Sequence, residues 1–204
     1  PKYHNNTTGL IEKMAKEMKV KTRLTLGFGL VVAFLCMIGI IGVVNVNGLR
    51  SGLDDMVDDK FPKTVWANNI IDAINVIALS MRDSMLFEEP LERAQAIERI
   101  DAAKAKAAKN IERLEATITT AEGKAKLQEV KAAKKTYVGH YDKFLGLLGQ
   151  GKGEQAKAML LNEIRDAQRQ YLAAINDLIS YQEDLMQGAG HEAREQAGFA
   201  TILI

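Results

Sequence analysis

From Leu24 to Leu49 the chain reads LTLGFGLVVAFLCMIGIIGVVNVNGL, with no charge between Arg23 and Arg50. The apolar centre, Leu26 to Val44, is about what a helix needs to cross ~30 Å of hydrocarbon at 1.5 Å per residue. A soluble amphipathic helix would keep a charged face, and this stretch has none. It predicts a transmembrane helix over 24–49. The exit, VVNVNGL, offers no small-residue cleavage site, so the span reads as an uncleaved anchor and not as a signal peptide.

Beyond Leu53 the pattern changes to apolar positions spaced alternately three and four apart, the seam of packed helices. In the first helix the seam is Ile71, Ile74, Ala78, Met81 and Met85. Pro62 should kink this helix or mark a new start. Glu88-Glu89-Pro90 ends it, with Pro90 suited to the first turn of the next. The second seam is Ile97, Ile100, Lys104, Ala107, Ile111, Leu114 and Ile118. Thr119 with Glu122 reads as a capping box for the third helix. That helix carries Leu127, Val130, Lys134, Tyr137, Tyr141, Phe144 and Leu148 on its seam. GQGKG, Gly149–Gly153, breaks the chain. The fourth seam is Leu161, Ile164, Gln168, Tyr171, Ile175, Leu178, Gln182 and Leu185. The prediction is all-α: an antiparallel up-down-up-down four-helix bundle behind one transmembrane helix. Its outer helices are longer, about forty residues or ~60 Å each, than its middle two, which are nearer thirty.

The apolar end, Gly198-Phe-Ala-Thr-Ile-Leu-Ile204, reads as the opening of a second span, cut short, with any cytoplasmic output beyond it. The expected organisation is a cytoplasmic tail over 1–23, the anchor over 24–49, a sensor bundle over 50–196, and the start of transmembrane helix two over 197–204. Within the tail, Pro1–Glu17 lacks periodicity. It is either a cytoplasmic extension or sequence ahead of a start at Met14 or Met18, and no function attaches to it.

Charge adds direction. Lys16, Lys19, Lys21 and Arg23 precede the span, whereas Asp54, Asp55, Asp58 and Asp59 follow it, so the N-terminus belongs inside and the bundle outside. Across the 204 residues, 27 basic and 26 acidic side chains leave a net charge of +1, and no global field argues for nucleic acid. Three prolines favour helices. The single cysteine, Cys36, lies in the apolar span and permits no intramolecular disulfide.

A start reading MKVKTRLTLGFGLVV, then an anchor, then an acidic stretch into FPKTVWANNIIDAINVIALSMRDSMLF resembles the N-terminal part of bacterial methyl-accepting chemotaxis proteins, the transmembrane chemoreceptors with a four-helix-bundle ligand-binding domain. Lys19 to Gly29 match the family's K-x-x-x-R/L-x-L-G-F-G opening, and Pro62 and Arg82 match its early proline and distal arginine. The resemblance covers Met18 to the end. It implies a homodimer in the inner membrane, a periplasmic bundle, and ligand-driven displacements of the last helix passed to a cytoplasmic signalling coil. Histidine kinases and nucleotide cyclases carry similar bundles, so the output domain stays open, as does a membrane-anchored scaffold without a small-molecule ligand.

No phosphate loop, H-E-x-x-H, G-x-S-x-G or cysteine cluster occurs, so no catalytic residue is proposed and the expectation is a non-enzyme without cofactor. His4, His140 and His191 lack a second ligand at metal spacing. The informative departures are polar residues on the seams. Lys104, Lys134, Gln168, Tyr137, Tyr141 and Tyr171 stand where Leu or Ile is expected, at similar depth from the far loops, and Asn75 and Arg82 fall on the edge of the first seam. A buried cation is costly unless paired, and no acidic residue shares these seams. These eight are the candidate ligand-binding residues. The expected ligand is a small carboxylate, an organic acid or amino acid, held by Arg82, Lys104 or Lys134, with tyrosine hydroxyls and Gln168 orienting it. The aspartate and serine receptors place several first-helix arginines at the dimer interface. Only Arg82 matches here, which favours a site inside one bundle. Trp66 reads as a packing residue, and Gly139 and Gly146 lie off the seam.

Overall fold

The computed structural model describes residues 19–202, with side chains described over 19–195. Its helices are α1 (Val20–Asp54), α2 (Phe61–Leu86), α3 (Pro90–Thr117), α4 (Ala121–Gly149), α5 (Gly153–Met159) and α6 (Arg165–Ile202); π-helical turns at Asp55–Lys60 and Leu160–Ile164 precede α2 and α6. The readings of Pro1–Met18 lie outside the described residues, as do the side chains of the expected second span. The chain divides into two compact units, one comprising Gly52–His191 and the other the segments before and after it.

In the second of these, no described residue of α1 is buried. Leu26, Phe28, Leu30, Val31, Phe34, Leu35, Ile38 and Ile40 all stand exposed. Apolar side chains exposed around a whole helix are what a hydrocarbon environment selects. One helical run, Val20–Leu86, contains a window long and apolar enough to cross a membrane.

The Gly52–His191 unit is the predicted bundle, with one core drawn from α2 to α6. α2 and α3 approach most closely. Their facing seams alternate bulky with small side chains, Ile70, Ile74 and Ile77 against Ala96, Ala103 and Ala107, and alanine lets helix axes come together. On α4 and α6 the core is bulkier, built on Leu127, Val130, Tyr137, Tyr141, Phe144, Tyr171, Ile175 and Leu178. The middle helices span 28 and 29 residues, as the seams require. Trp66 packs against the core, with the Arg113 guanidinium 5.8 Å from its ring centroid.

Pro62 marks a new start, one of the two outcomes expected of it: it sits in the first turn of α2, where its missing N–H costs nothing, immediately after the π turn of Asp55–Lys60. That turn is tied by Lys60 to Asp55 and by the buried Lys63 to Asp59 at 2.6 Å. Two other local expectations are corrected. The cap of α4 is Thr120, not Thr119: its hydroxyl accepts from the Gly123 N–H at 3.2 Å. Ile118 is buried at the end of α3 and leaves it extended, so the chain enters α4 one residue later. Glu122 then occupies the second helical position, too early to close a capping box. Finally, Leu161 is 52% exposed and off the seam. The π turn inserts a residue there, so the buried series runs Ala156, Met159, Ile164, Ala167, Tyr171 with a step of five across it.

Between α4 and α5 the turn needs glycine. Gly151 has φ +72°, a left-handed backbone that a Cβ disfavours.

Candidate functional site

The polar seam residues of α3, α4 and α6 converge. A cavity of about 300 Å³ is lined by Lys104, Ala105, Ala107 and Ala108 from α3, Lys134, Tyr137 and Val138 from α4, Tyr171 from α6, and Ile74 and Ile77 from α2. The local cause is small residues on α3: Ala107, on the seam, and Ala105 and Ala108 beside it leave a slot that the large α4 side chains do not fill. Four of the eight predicted residues therefore share one site. The lining alanines and isoleucines are not marked by polar departures from the seam, because a slot is opened by small apolar residues. Ala-rich sequence around Ala105–Ala108 was the available signal.

The two lysines at the site differ. Lys104 Nζ lies 4.6 Å from the centroid of the Tyr141 ring and 3.9 Å from both Asp101 Oδ1 and Asp142 Oδ1. The expectation of an uncompensated cation is corrected here. Asp101 and Asp142 lie off the seams in sequence, but a lysine stem can carry its charge outward to reach them. Lys134 is half-buried and has no ion pair among the described residues.

Tyr137 and Tyr171 are 1% and 2% exposed, with ring centroids 6.0 Å apart and planes tilted by 46°. Their hydroxyl oxygens and that of Tyr141 are buried with no hydrogen-bond partner among the described residues. Burial pushes all three phenols up. For Tyr137 the Arg82 charge opposes the rise and Tyr171 adds to it. For Tyr171 burial acts alone. Tyr141 is pushed up to about 12, first by burial and then by Asp101 and Asp142. All three are neutral donors at ordinary pH.

Tyr141 lies under Lys104 and outside the cavity lining. Gln168 is half-buried and is also outside it. Asn75 and Arg82 are exposed, on the outward face of α2, though the Arg82 charge still reaches Tyr137 electrostatically.

A wider and more open cleft of about 650 Å³ lies at the α4–α5 end, between Lys143, Gly146 and Leu147 of α4 and Met159, Asn162 and Glu163 near the π turn. Gly146 thus forms cleft wall, and a methyl added there would meet nothing within 4 Å. Below it, His140 Nδ1 lies 3.3 Å from Glu163 Oε2 without hydrogen-bonding geometry. No cluster of His, Cys, Asp or Glu suited to a metal occurs among the described residues.

Among curated proteins, none matches this sequence. A family model described as a four helix bundle sensory module for signal transduction matches residues 17–197. That match covers the apolar helix α1, the capped α4, the cavity and both π turns together. The chain belongs to this family of four-helix-bundle sensory modules of chemoreceptors.

Proposed function

We propose that the chain is the extracytoplasmic ligand-sensing module of a transmembrane chemoreceptor, anchored in the bacterial inner membrane with its bundle in the periplasm. It binds a small carboxylate, catalyses nothing, and passes a conformational signal across the membrane to control chemotaxis. The observation that carries this reading is the cavity between α3 and α4, with Lys104 and Lys134 beside it and Tyr137 and Tyr171 in its wall. Tyr171 belongs to α6, a single helix from Arg165 to Ile202, so a ligand that shifts Tyr171 acts on the helix that leaves the bundle. A small displacement suffices, because packed cores move between discrete arrangements and do not deform continuously.

The module works as a homodimer. Positions 61, 65, 68, 72, 75, 79, 82 and 86 of α2 form a second stripe with alternating steps of four and three, facing away from the core. Phe61, Val65, Leu79 and Leu86 on it are 58%, 39%, 57% and 77% exposed, and a second copy of the same stripe would cover them.

The test is a thermal-shift and calorimetric panel of carboxylates on the whole chain in lipid nanodiscs. A ligand bound only by the folded form raises the midpoint, by about 2.7 kcal/mol at a hundred times its dissociation constant. Binding that Lys134→Met abolishes supports the reading. A folded chain that binds no carboxylate, or binds one with Lys134→Met unaffected, overturns it.

A further inference from the structure

We infer that the α3–α4 cavity selects an aromatic or alicyclic monocarboxylate, a compact apolar body with a single anionic end, over di- and tricarboxylates and polar amino acids. The inference rests on the carboxylate reading above and narrows its ligand class.

The first observation is what the wall presents. Apart from the two lysines, every lining side chain is aliphatic or a tyrosine. The Tyr137 and Tyr171 hydroxyl oxygens are themselves buried, each with less than 1 Å² exposed, so these residues offer a ligand ring carbon and not oxygen. The hydroxyls that the sequence suggested would orient a polar ligand are out of its reach. A body entering this slot meets Ile74, Ile77, Ala108, Val138 and two tyrosine rings, and a polar group placed there would exchange water for carbon.

The second observation is the supply of charge. Lys104 is compensated by Asp101, Asp142 and the Tyr141 face. Its two carboxylates also repel a second anion from that side. Among the described residues lining the cavity, Lys134, one helical turn before Tyr137 on α4, is the cation without an ion pair. One such cation matches one carboxylate; a second carboxylate on the same ligand would lie against apolar wall or against Asp142.

The third is size and shape. An apolar cavity of about half this volume already holds benzene. The remaining space accommodates a carboxylate reaching the Lys134 ammonium, and offset or tilted aromatic packing on Tyr137 and Tyr171 suits a flat ring.

The experiment uses the whole chain in nanodiscs, with benzoate, cyclohexanecarboxylate, succinate, citrate and L-aspartate as probes and calorimetric affinity as the readout. Benzoate and cyclohexanecarboxylate are expected to bind roughly tenfold or more tighter than the other three, since a second unpaired charge is excluded from the slot. Lys134→Met should cost benzoate about tenfold or more, as loss of a charge-assisted hydrogen bond does, while Lys134→Arg retains binding. Ala108→Leu, which fills the slot without touching a charge, should abolish benzoate binding at unchanged helix content by circular dichroism. Tighter binding of succinate, citrate or aspartate through Lys134 would overturn this inference and leave the carboxylate sensor standing. Benzoate binding indifferent to both Lys134→Met and Ala108→Leu would overturn it as well. A folded chain that takes none of the five overturns both it and the sensor reading for this panel.

Discussion

Tyr181 donates its hydroxyl hydrogen to Thr120 Oγ1 at 2.8 Å, and the same oxygen accepts from the Gly123 N–H at 3.2 Å. One threonine thus caps α4 and ties its start to α6. A methyl group on Gly123 would come within 2.7 Å of Ile118 Cγ2 and of Thr120 Oγ1 and 3.1 Å of Tyr181 Cε1. Gly123→Ala should therefore destabilise the bundle even though alanine is the better helix former. Thr120→Ala should cost about 1 kcal/mol for the cap and somewhat more for the lost α6 bond. Thermal midpoints of the two variants test this, and a midpoint raised by Gly123→Ala would refute the close packing.

Alkaline pH acts through the buried phenols. A tyrosine whose pKa is raised by folding stabilises the native state fully below its unfolded value of about 10, because both states are then protonated. Above that pH the unfolded chain ionises first and stability falls until the folded value is passed. For Tyr141 the window is from about 10 to about 12. The denaturation midpoint should drop across it, and Tyr141→Phe should flatten the drop.

Replacing both Tyr137 and Tyr171 by phenylalanine keeps their ring packing and removes two buried hydroxyls that have no partner among the described residues. Each unpaired group costs about 1–3 kcal/mol. The double variant should be at least as stable as the parent, whereas Tyr137→Ala should lose about 3–5 kcal/mol to the cavity left behind. Chemical denaturation of the three proteins decides it.

Deleting Leu161 should be tolerated. It is exposed and lies in the π turn that makes the step from Met159 to Ile164 five residues long. Its removal restores a step of four, which an α-helix accommodates. Deletion of Ala133, in the regular α4 between Val130 and Tyr137, should unfold the bundle by turning the following seam outward. Circular dichroism with a denaturation curve separates the two cases.

For the α2 stripe, a chain with Cys36→Ser and Leu79→Cys should form a disulfide-linked dimer on mild oxidation, because two copies of the stripe would bring this position face to face. Cysteine at Glu98, exposed on α3, should not. Equal cross-linking at both positions would remove this face as the dimer contact.

The sequence by itself determined the helices, their order and most of the core. Ile74, Met81, Ile100, Leu114, Leu127, Tyr137, Phe144, Ile175 and Leu178, all on the predicted seams, are all buried, because the step of three and four is a direct consequence of helix geometry. It also made the long apolar helix α1 legible, since an uncharged run of that length is long and apolar enough to cross a membrane. What only the tertiary structure decided was where the periodic pattern slips and what the polar seam residues touch. The π turn moved Leu161 off the seam, a shift in phase that local composition does not record. Asp101 and Asp142 reach Lys104 from separate helices, and their nearness depends on how α3 and α4 are rotated against each other. The cavity is decided the same way. Whether Ala105, Ala107 and Ala108 close a gap or leave one depends on the helix that faces them, which no single helix's sequence contains.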